Sequence, residues 1–152
     1  MKLSHQTIEL NPTHPFVIAR GGYAHHRNVI VRLTDDDGVD GFGEAAPNRY
    51  YGESVATVIA ALGQFKPVLE RADPFSIEVI EANLSRILRG NASAKSAISS
   101  ALHDLIGKKL GLPVHRLWGL DPANTPQSSF TIAIAENEEL ERRVTEAADY
   151  PI

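Results

Sequence analysis

Cysteine is absent from this 152-residue chain, and methionine and tryptophan occur once each. Without thiols there is no disulfide, no thiolate metal site and no cysteine nucleophile, so any metal chemistry falls to carboxylates, imidazoles or backbone oxygens. Long apolar runs are missing as well. Nothing approaches the roughly 18 consecutive apolar residues of a membrane-spanning helix, and the N-terminal residues lack the charged-then-apolar order of a secretory signal. Nor is there an excess of positive charge: 15 Lys and Arg, scattered along the chain, stand against 19 Asp and Glu for a net charge of -4. That balance argues against a nucleic-acid footprint and against attraction to an anionic membrane. What is present, 43% hydrophobic and 22% charged residues, suits a soluble globular chain that buries a core, with a cytoplasmic location expected.

Apolar and polar residues alternate mildly over residues 3–10 and firmly over 28–33, where Val29, Val31 and Leu33 share one face, so both stretches are expected to be strands. Asp35-Asp36-Asp37-Gly38 supplies turn chemistry and residues 39–46 return as a strand, making 28–46 a hairpin of an antiparallel sheet. After Gly52 the period lengthens. Val55, Val58, Ile59 and Leu62 fall on one face of a helix that Pro67 is expected to end or kink. Asp73-Pro74 reads as a cap and first-turn proline for a second helix with the stripe Ile77, Ile80, Leu84 and Ile87. Ser93 is expected to cap a third, in which Ala94, Ala97, Ile98, Ala101, Leu102, Leu105 and Ile106 make a wide face rich in small residues, stopped by Gly111 and Pro113. Small side chains let backbones approach closely, which places this helix at the centre of a bundle.

Residues 128–135, with Thr131 and Ile132 at their centre, read as a further strand. Asn137 then caps a helix that pairs Glu138 with Arg142 and Glu139 with Arg143 at i, i+4 spacing. One strand followed by one helix leaves both strand edges bare, so further βα units are expected to follow. The expected boundary lies near Asn124, dividing the chain into domains 1–124 and 125–152.

Several apparent motifs dissolve on their context. Gly41-Phe42-Gly43-Glu44-Ala45-Ala46 fits a dinucleotide fingerprint only superficially, because Pro47 and Asn48 follow where a helix should open. The acidic turn at 35–37 lacks the bidentate Glu of a calcium loop, Ala46 standing at that position. Six histidines show no ligand spacing and read as structural or solvent-facing, and Ser128-Ser129 lacks a nucleophile elbow. Two loops are more purposeful: Arg20-Gly21-Gly22-Tyr23 and Asn48-Arg49-Tyr50-Tyr51-Gly52-Glu53. Both join Gly to Tyr and Arg, the residue types that cover and grip a small polar substrate, although ordinary surface loops have the same composition.

Three strings in order carry a resemblance. They are Gly41-Phe42-Gly43-Glu44-Ala45-Ala46-Pro47, the helix from Ala94-Lys95-Ser96-Ala97-Ile98 through Ala101-Leu102-His103-Asp104-Leu105-Ile106-Gly107-Lys108, and Leu112-Pro113-Val114-His115-Arg116-Leu117-Trp118-Gly119. Together they resemble the N-terminal part of the enolase superfamily in its muconate-lactonizing branch, over the whole chain. The resemblance implies an α+β capping domain of antiparallel sheet plus helical bundle, followed by the start of a TIM-like (β/α) barrel. Within the branch, His14-Pro15-Phe16-Val17-Ile18-Ala19-Arg20, Tyr50-Tyr51-Gly52-Glu53 and Ser128-Ser129-Phe130-Thr131-Ile132 are most similar to dipeptide epimerases.

That likeness implies an isomerase that removes and returns the α-proton of an L-Ala-X dipeptide through an enediolate stabilised by Mg²⁺. The α-proton beside a carboxylate is weakly acidic, so the developing charge needs a cation and the base needs tuning. The catalytic lysines and metal ligands are expected beyond Ile152, so no catalytic or metal residue is assigned here. Lys108 and Lys109 belong to the capping helix, and a chain ending at Ile152 is expected to be inactive by itself. Substrate contacts carry over to Thr131, Arg20, Tyr23, Arg49, Tyr50 and Tyr51. The arginine of L-Ala-L-Glu epimerases aligns with Gly21, one place after Arg20, which leaves hydrophobic and other dipeptides open. Muconate cycloisomerase, o-succinylbenzoate synthase and N-acylamino acid racemase share the scaffold, and a non-catalytic module binding a small ligand or partner is the reading from another class. A homo-oligomer is expected of the full-length protein.

Overall fold

The alternation read at residues 28–33 becomes a ladder. In the computed structural model, which describes residues 1–19, 21–23 and 25–150 and all their side chains except those of 21–23, β4 (His26–Thr34) runs antiparallel to β5 (Asp40–Ala45), with Val29 opposite Ala45 and Leu33 opposite Gly41. β1 (Lys2–Leu10) lies on the other side of β4, giving the order β1-β4-β5. Val29, Val31 and Leu33 are fully buried on one face, while Arg32 on the other is exposed. A separate two-stranded sheet pairs β2 (Phe16–Ile18) with β3 (Gly21–Tyr23). The chain divides into two compact units, Met1–Glu9 with Arg27–Leu120 and Leu10–His26 with Asp121–Ile152.

In the first unit, α1 (Val55–Arg71) opens on a capping box in which Ser54 accepts from the Thr57 N–H and Thr57 Oγ1 accepts from the Ser54 N–H at 2.8 Å. Val58, Ala61, Leu62, Phe65 and Leu69 turn inward. Of the two outcomes expected at Pro67, an end is excluded, since the helix continues to Arg71. The carbonyl that loses its partner belongs to Gly63, and both Gly63 and Pro67 face solvent. Water can satisfy the freed acceptor there.

Asp73-Pro74 does not open the second helix either. Asp73 Oδ1 accepts from the Phe75 N–H and its carbonyl from the Ser76 N–H, both at 3.0 Å, forming a separate turn before α2 (Ile77–Ile87). Short acidic side chains favour this local alternative to a helical start. Ile80 and Leu84 are buried, whereas Ile87 ends 37% exposed and Leu88 packs on the core in its place.

α3 (Ala92–Leu110) holds the unit together. Ala94, Ala97, Ile98, Ala101, Leu102 and Leu105 are fully buried, as the apolar face required. Its main partner is β5, with α1, α2 and the short α4 (Val114–Leu117) also against it. The helix is therefore central, but to a sheet-and-helix layer rather than to a bundle alone. The contact with β5 is so close that a Cβ on Gly41 would lie 2.1 Å from the Ala101 carbonyl oxygen, and one on Gly43 1.9 Å from that of Ala97. Gly-Phe-Gly is thus a packing motif. Only residues without a side chain let strand and helix backbones come this near. Gly111, in the left-handed region at φ 64°, ends the helix, and the Leu112 N–H reaches back to the Gly107 carbonyl at 2.9 Å.

The acidic hairpin turn is tied to the C-terminal end of the same helix. Asp35 Oδ1 accepts from the N–H groups of Asp37 and Val39 at 3.0 and 2.8 Å, and Lys109 Nζ donates to Asp35 and to Asp37. Lys109 holds the Asp35 carboxyl below the usual aspartate range, the turn N–H groups adding to this and burial opposing it. The same pair pushes the Lys109 ammonium above the usual lysine range.

In the second unit, residues 128–135 form no strand among the described residues, contrary to the sequence reading. The Ile134 N–H donates to the Val17 carbonyl at 3.0 Å, but no ladder runs along the segment. β-branched composition suits an extended backbone, while a strand also needs a neighbour to pair with. In α5 (Asn137–Ala147) the N-cap position falls on Glu136, whose side chain makes no capping bond, and Asn137 is the first helical residue. Arg143 bonds Glu139 as expected, but Arg142 also turns to Glu139 rather than to Glu138.

Gly41→Ala and Gly43→Ala are each expected to cost about 3 kcal/mol or more in urea unfolding, since a methyl would meet backbone that cannot yield. Gly63→Ala, with nothing within 4 Å of its new Cβ, should instead gain up to about 1 kcal/mol. Because the folded Asp35 carboxyl titrates below its unfolded value, its contribution is present at neutral pH and is lost as pH falls through the depressed range. Asp35→Asn should therefore lower the urea midpoint near neutrality, and the gap to wild type should close towards about pH 2.

Candidate functional site

The loop after β5 is built as a rigid platform. Asn48 Oδ1 accepts from the Tyr50 N–H at 2.9 Å, the Tyr51 N–H bonds the Asn48 carbonyl at 3.0 Å, and Arg49–Tyr51 form a 3₁₀ turn closed by Gly52 at φ 75°. The Tyr50 and Tyr51 rings meet edge to face with centroids 5.1 Å apart. They stand 63% and 74% exposed, and Arg49 beside them is exposed too. Aromatic surface so exposed adds little to the core and is available to cover a ligand. Tyr51 also borders a depression of about 420 Å³ whose other walls include Glu44, Asn48, Glu53 and Ser96.

Glu53 anchors this platform. Its side chain is nearly buried, at 9% exposure, against the first turn of α3. The Ser93 N–H reaches both carboxylate oxygens at 3.3 Å, and the Ser93 hydroxyl lies within bonding range of Glu53 and of the Ala46 carbonyl. Ser93 is therefore not the cap. The N-cap position is Asn91, held at φ 52° with no capping bond from its side chain, and one of the free N-terminal donors of α3, the Ser93 N–H, is met by a carboxylate 40 residues away. A negative charge at that end also complements the helix dipole. Nothing local marked this role, because the partners become neighbours only when β5 packs on α3.

Thr131 lies in the other unit, exposed, beside a cavity of about 240 Å³ lined by His14, Phe16, Phe130, Arg143, Glu146 and Tyr150 among others. Phe130 stacks on Tyr150 with centroids 5.0 Å apart. Tyr23 pairs through its backbone with Phe16, and Arg20 lies outside the described residues. The platform residues thus cluster in one unit, and Thr131 and the Tyr23 strand in the other. His14, read from sequence only as one of several structural histidines, has Nε2 2.7 Å from Glu146 and Nδ1 3.7 Å from Glu139. Those carboxylates are more than 100 residues distant in sequence, and no spacing rule reaches that far.

Lys108 donates to Asp104 at 2.6 Å and to the Asp40 carbonyl at 2.8 Å, with its ammonium 4.9 Å from the centre of the Phe42 ring. It holds β5 to α3, just as Lys109 holds the hairpin turn. Among the described residues no group of three or more His, Asp or Glu converges in a way that would hold a metal ion. These residues do not fit a magnesium centre. No helix among the described residues is long and apolar enough to cross a membrane.

Residues 3–119 match the family described as the mandelate racemase / muconate lactonizing enzyme N-terminal domain. The chain belongs to this family. It is the N-terminal capping domain of the enolase superfamily, and the mixed sheet-and-helix architecture agrees with that. An L-Ala-D/L-Glu epimerase of Bacteroides thetaiotaomicron is 35% identical over 97% of this chain and 38% of its own length. A dipeptide epimerase of Enterococcus faecalis, solved with Mg and the dipeptide L-Leu-L-Tyr, superposes with TM-score 0.88 at 27% identity, over 97% of this chain and 42% of that one. A 2-chloromuconate cycloisomerase of Rhodococcus opacus superposes with TM-score 0.89 at 28% identity, over 97% and 41%. The chain spans about two fifths of the length of these mandelate racemase / muconate lactonizing enzyme relatives.

Glu53→Ala is expected to lower stability by about 1–2 kcal/mol through loss of the remote cap. Hydrogen exchange should show the loosening at the start of α3 and in residues 48–52, with β4 unchanged.

Proposed function

We propose that this chain is the cap-bearing part of a dipeptide epimerase, in which the exposed aromatic platform at 48–52 helps to cover the substrate. The observation that carries the reading is the 35% identity to an L-Ala-D/L-Glu epimerase along 97% of the chain. The matched length of 149 residues spans the loops, where specificity resides in scaffolds of this kind. The reaction would remove and restore the α-proton of the C-terminal residue of an L-Ala-X dipeptide. The chemistry of Mg²⁺ in such an enzyme is to stabilise the developing enediolate charge, and the ion would be held, with the proton-transferring lysines, by barrel sequence that these residues do not provide.

What this chain contributes is enclosure and recognition. Exposed aromatic faces at Tyr50 and Tyr51 suit an apolar or aromatic X side chain. Arg49 and Arg20 suit a carboxylate, and Thr131 and Tyr23 offer hydroxyls for the peptide backbone. Covering a bound substrate excludes water, which strengthens the charge interactions around it. A second reading, cycloisomerisation of an unsaturated dicarboxylate, draws support from the TM-score of 0.89 to the chloromuconate enzyme. The same capping fold serves both chemistries, so fold alone does not choose between them.

The test joins the chain to its barrel region and screens L-Ala-X dipeptides in deuterated water, with mass spectrometry reporting α-deuteration. Deuterium entering the C-terminal residue of some dipeptides is the expected result. No exchange with any dipeptide, together with turnover of a muconate, would replace the epimerase by the second reading. Tyr51→Ala should raise KM about tenfold or more for the preferred dipeptide while changing kcat much less, the mark of uniform binding lost.

A further inference from the structure

The second unit contains a fastening that neither the family likeness nor the proposed reaction accounts for. β2 and β3 form a hairpin of three residue pairs, from Phe16 opposite Tyr23 to Ile18 opposite Gly21. So short a ribbon is not stable by itself in water. It therefore depends on what holds it, and two attachments stand out among the described residues. One is the bond from the Ile134 N–H to the Val17 carbonyl. The other is His14, two residues before the hairpin, whose Nε2 lies 2.7 Å from Glu146 Oε2 on α5.

The surroundings of the imidazole are built rather than incidental. A carboxylate only accepts, so Nε2 carries the hydrogen in this bond. On the opposite side Nδ1 is 3.7 Å from Glu139 Oε1. Glu139 is itself gripped by Arg142 Nη2 at 2.6 Å and by Arg143 Nε at 2.9 Å. Those guanidinium groups hold the Glu139 carboxyl below the usual glutamate range, so a fixed negative charge flanks the ring. The Arg143 side chain is only 8% exposed, which leaves it little freedom to move. With only 23% of the His14 side chain and 28% of the Glu139 side chain exposed, these contacts are stronger than the same pairs in open solvent.

We infer that His14 is a positioning residue, which through Glu146 and Glu139 of α5 fastens the β2–β3 hairpin beside the Phe130-Thr131 segment. The inference rests on the epimerase reading for the hairpin's substrate role but not for the fastening itself. The geometry makes the dependence physical. Phe16 shares the cavity wall with Phe130 and Thr131, so an unfastened hairpin would alter the spacing between Tyr23's strand and Thr131. Orientation of this kind governs recognition even where the residue touches no substrate.

Hydrogen exchange by mass spectrometry on the 152-residue chain tests the fastening without any substrate. His14→Ala should speed exchange across residues 16–23 about tenfold, with β4, β5 and α3 unchanged as an internal check of folding. Glu146→Ala should do the same, and the double variant should be no faster than either single one, which is the signature of a coupled pair. His14→Gln, which retains an N–H donor, should restore much of the protection. Unchanged exchange in His14→Ala, additive effects in the double variant, or no rescue by Gln would each overturn the inference. In the protein joined to its barrel region, His14→Ala should raise KM for the dipeptide about fivefold with kcat little altered. A loosened hairpin with unchanged KM would overturn the positioning role. Absence of all dipeptide turnover in the wild type would instead defeat the epimerase reading, leaving the exchange data to decide the fastening.

Discussion

The close approach of β5 to α3 is the constraint on which the first unit depends. With Gly41 and Gly43 lacking side chains, the strand lies directly over the carbonyls of Ala97 and Ala101, and the alanine face of the helix completes a small-on-small contact. That contact draws in the rest. Val29, Val31 and Leu33 of β4 enter the same core as Leu62, Phe65 and Leu69 of α1, and α2 closes over it with Ile80 and Leu84. Packing at this density tolerates no added methyl at the point of contact, because interiors are filled like crystals rather than like liquids.

Charge reinforces the arrangement at both ends of α3. Glu53 receives the Ser93 N–H at the N-terminal end, while Lys108 and Lys109 sit at the C-terminal end, where carbonyls and carboxylates of β5 and the hairpin turn receive them. Each sign matches the helix dipole. The effect is to tie two loops, 35–38 and 48–53, to the ends of one helix. The platform that presents Tyr50 and Tyr51 is thereby braced from below, which lets surface aromatics keep a defined orientation.

Much of the scaffold was legible in the order of residues. Alternation at Val29, Val31 and Leu33 and the wide apolar face of α3 survived intact, since burial of one face selects the period directly. The errors share a cause. Pro67 did not stop α1 because its lost bond faces water. Ser93 did not cap α3 because Glu53 arrived from elsewhere, and residues 128–135 did not become a strand because no ladder formed beside them. Of the candidate site residues, Arg49, Tyr50 and Tyr51 drew notice through composition, while the supports beneath them, Glu53 and Ser93, gave no local sign. His14 is the sharper case, its two carboxylates lying on α5 at the other end of the chain.

The amino-acid sequence by itself determined the helices and the β4–β5 hairpin, the glycines where backbones must meet and the absence of thiol chemistry, because periodicity, turn chemistry and residue type act over a few positions. Only the tertiary structure decided which charges meet: Glu53 with the start of α3, Asp35 and Asp37 with Lys109, and His14 with Glu146. These pairings are set by where packed elements bring distant residues together, and an ion pair or remote cap has no period in the sequence to announce it.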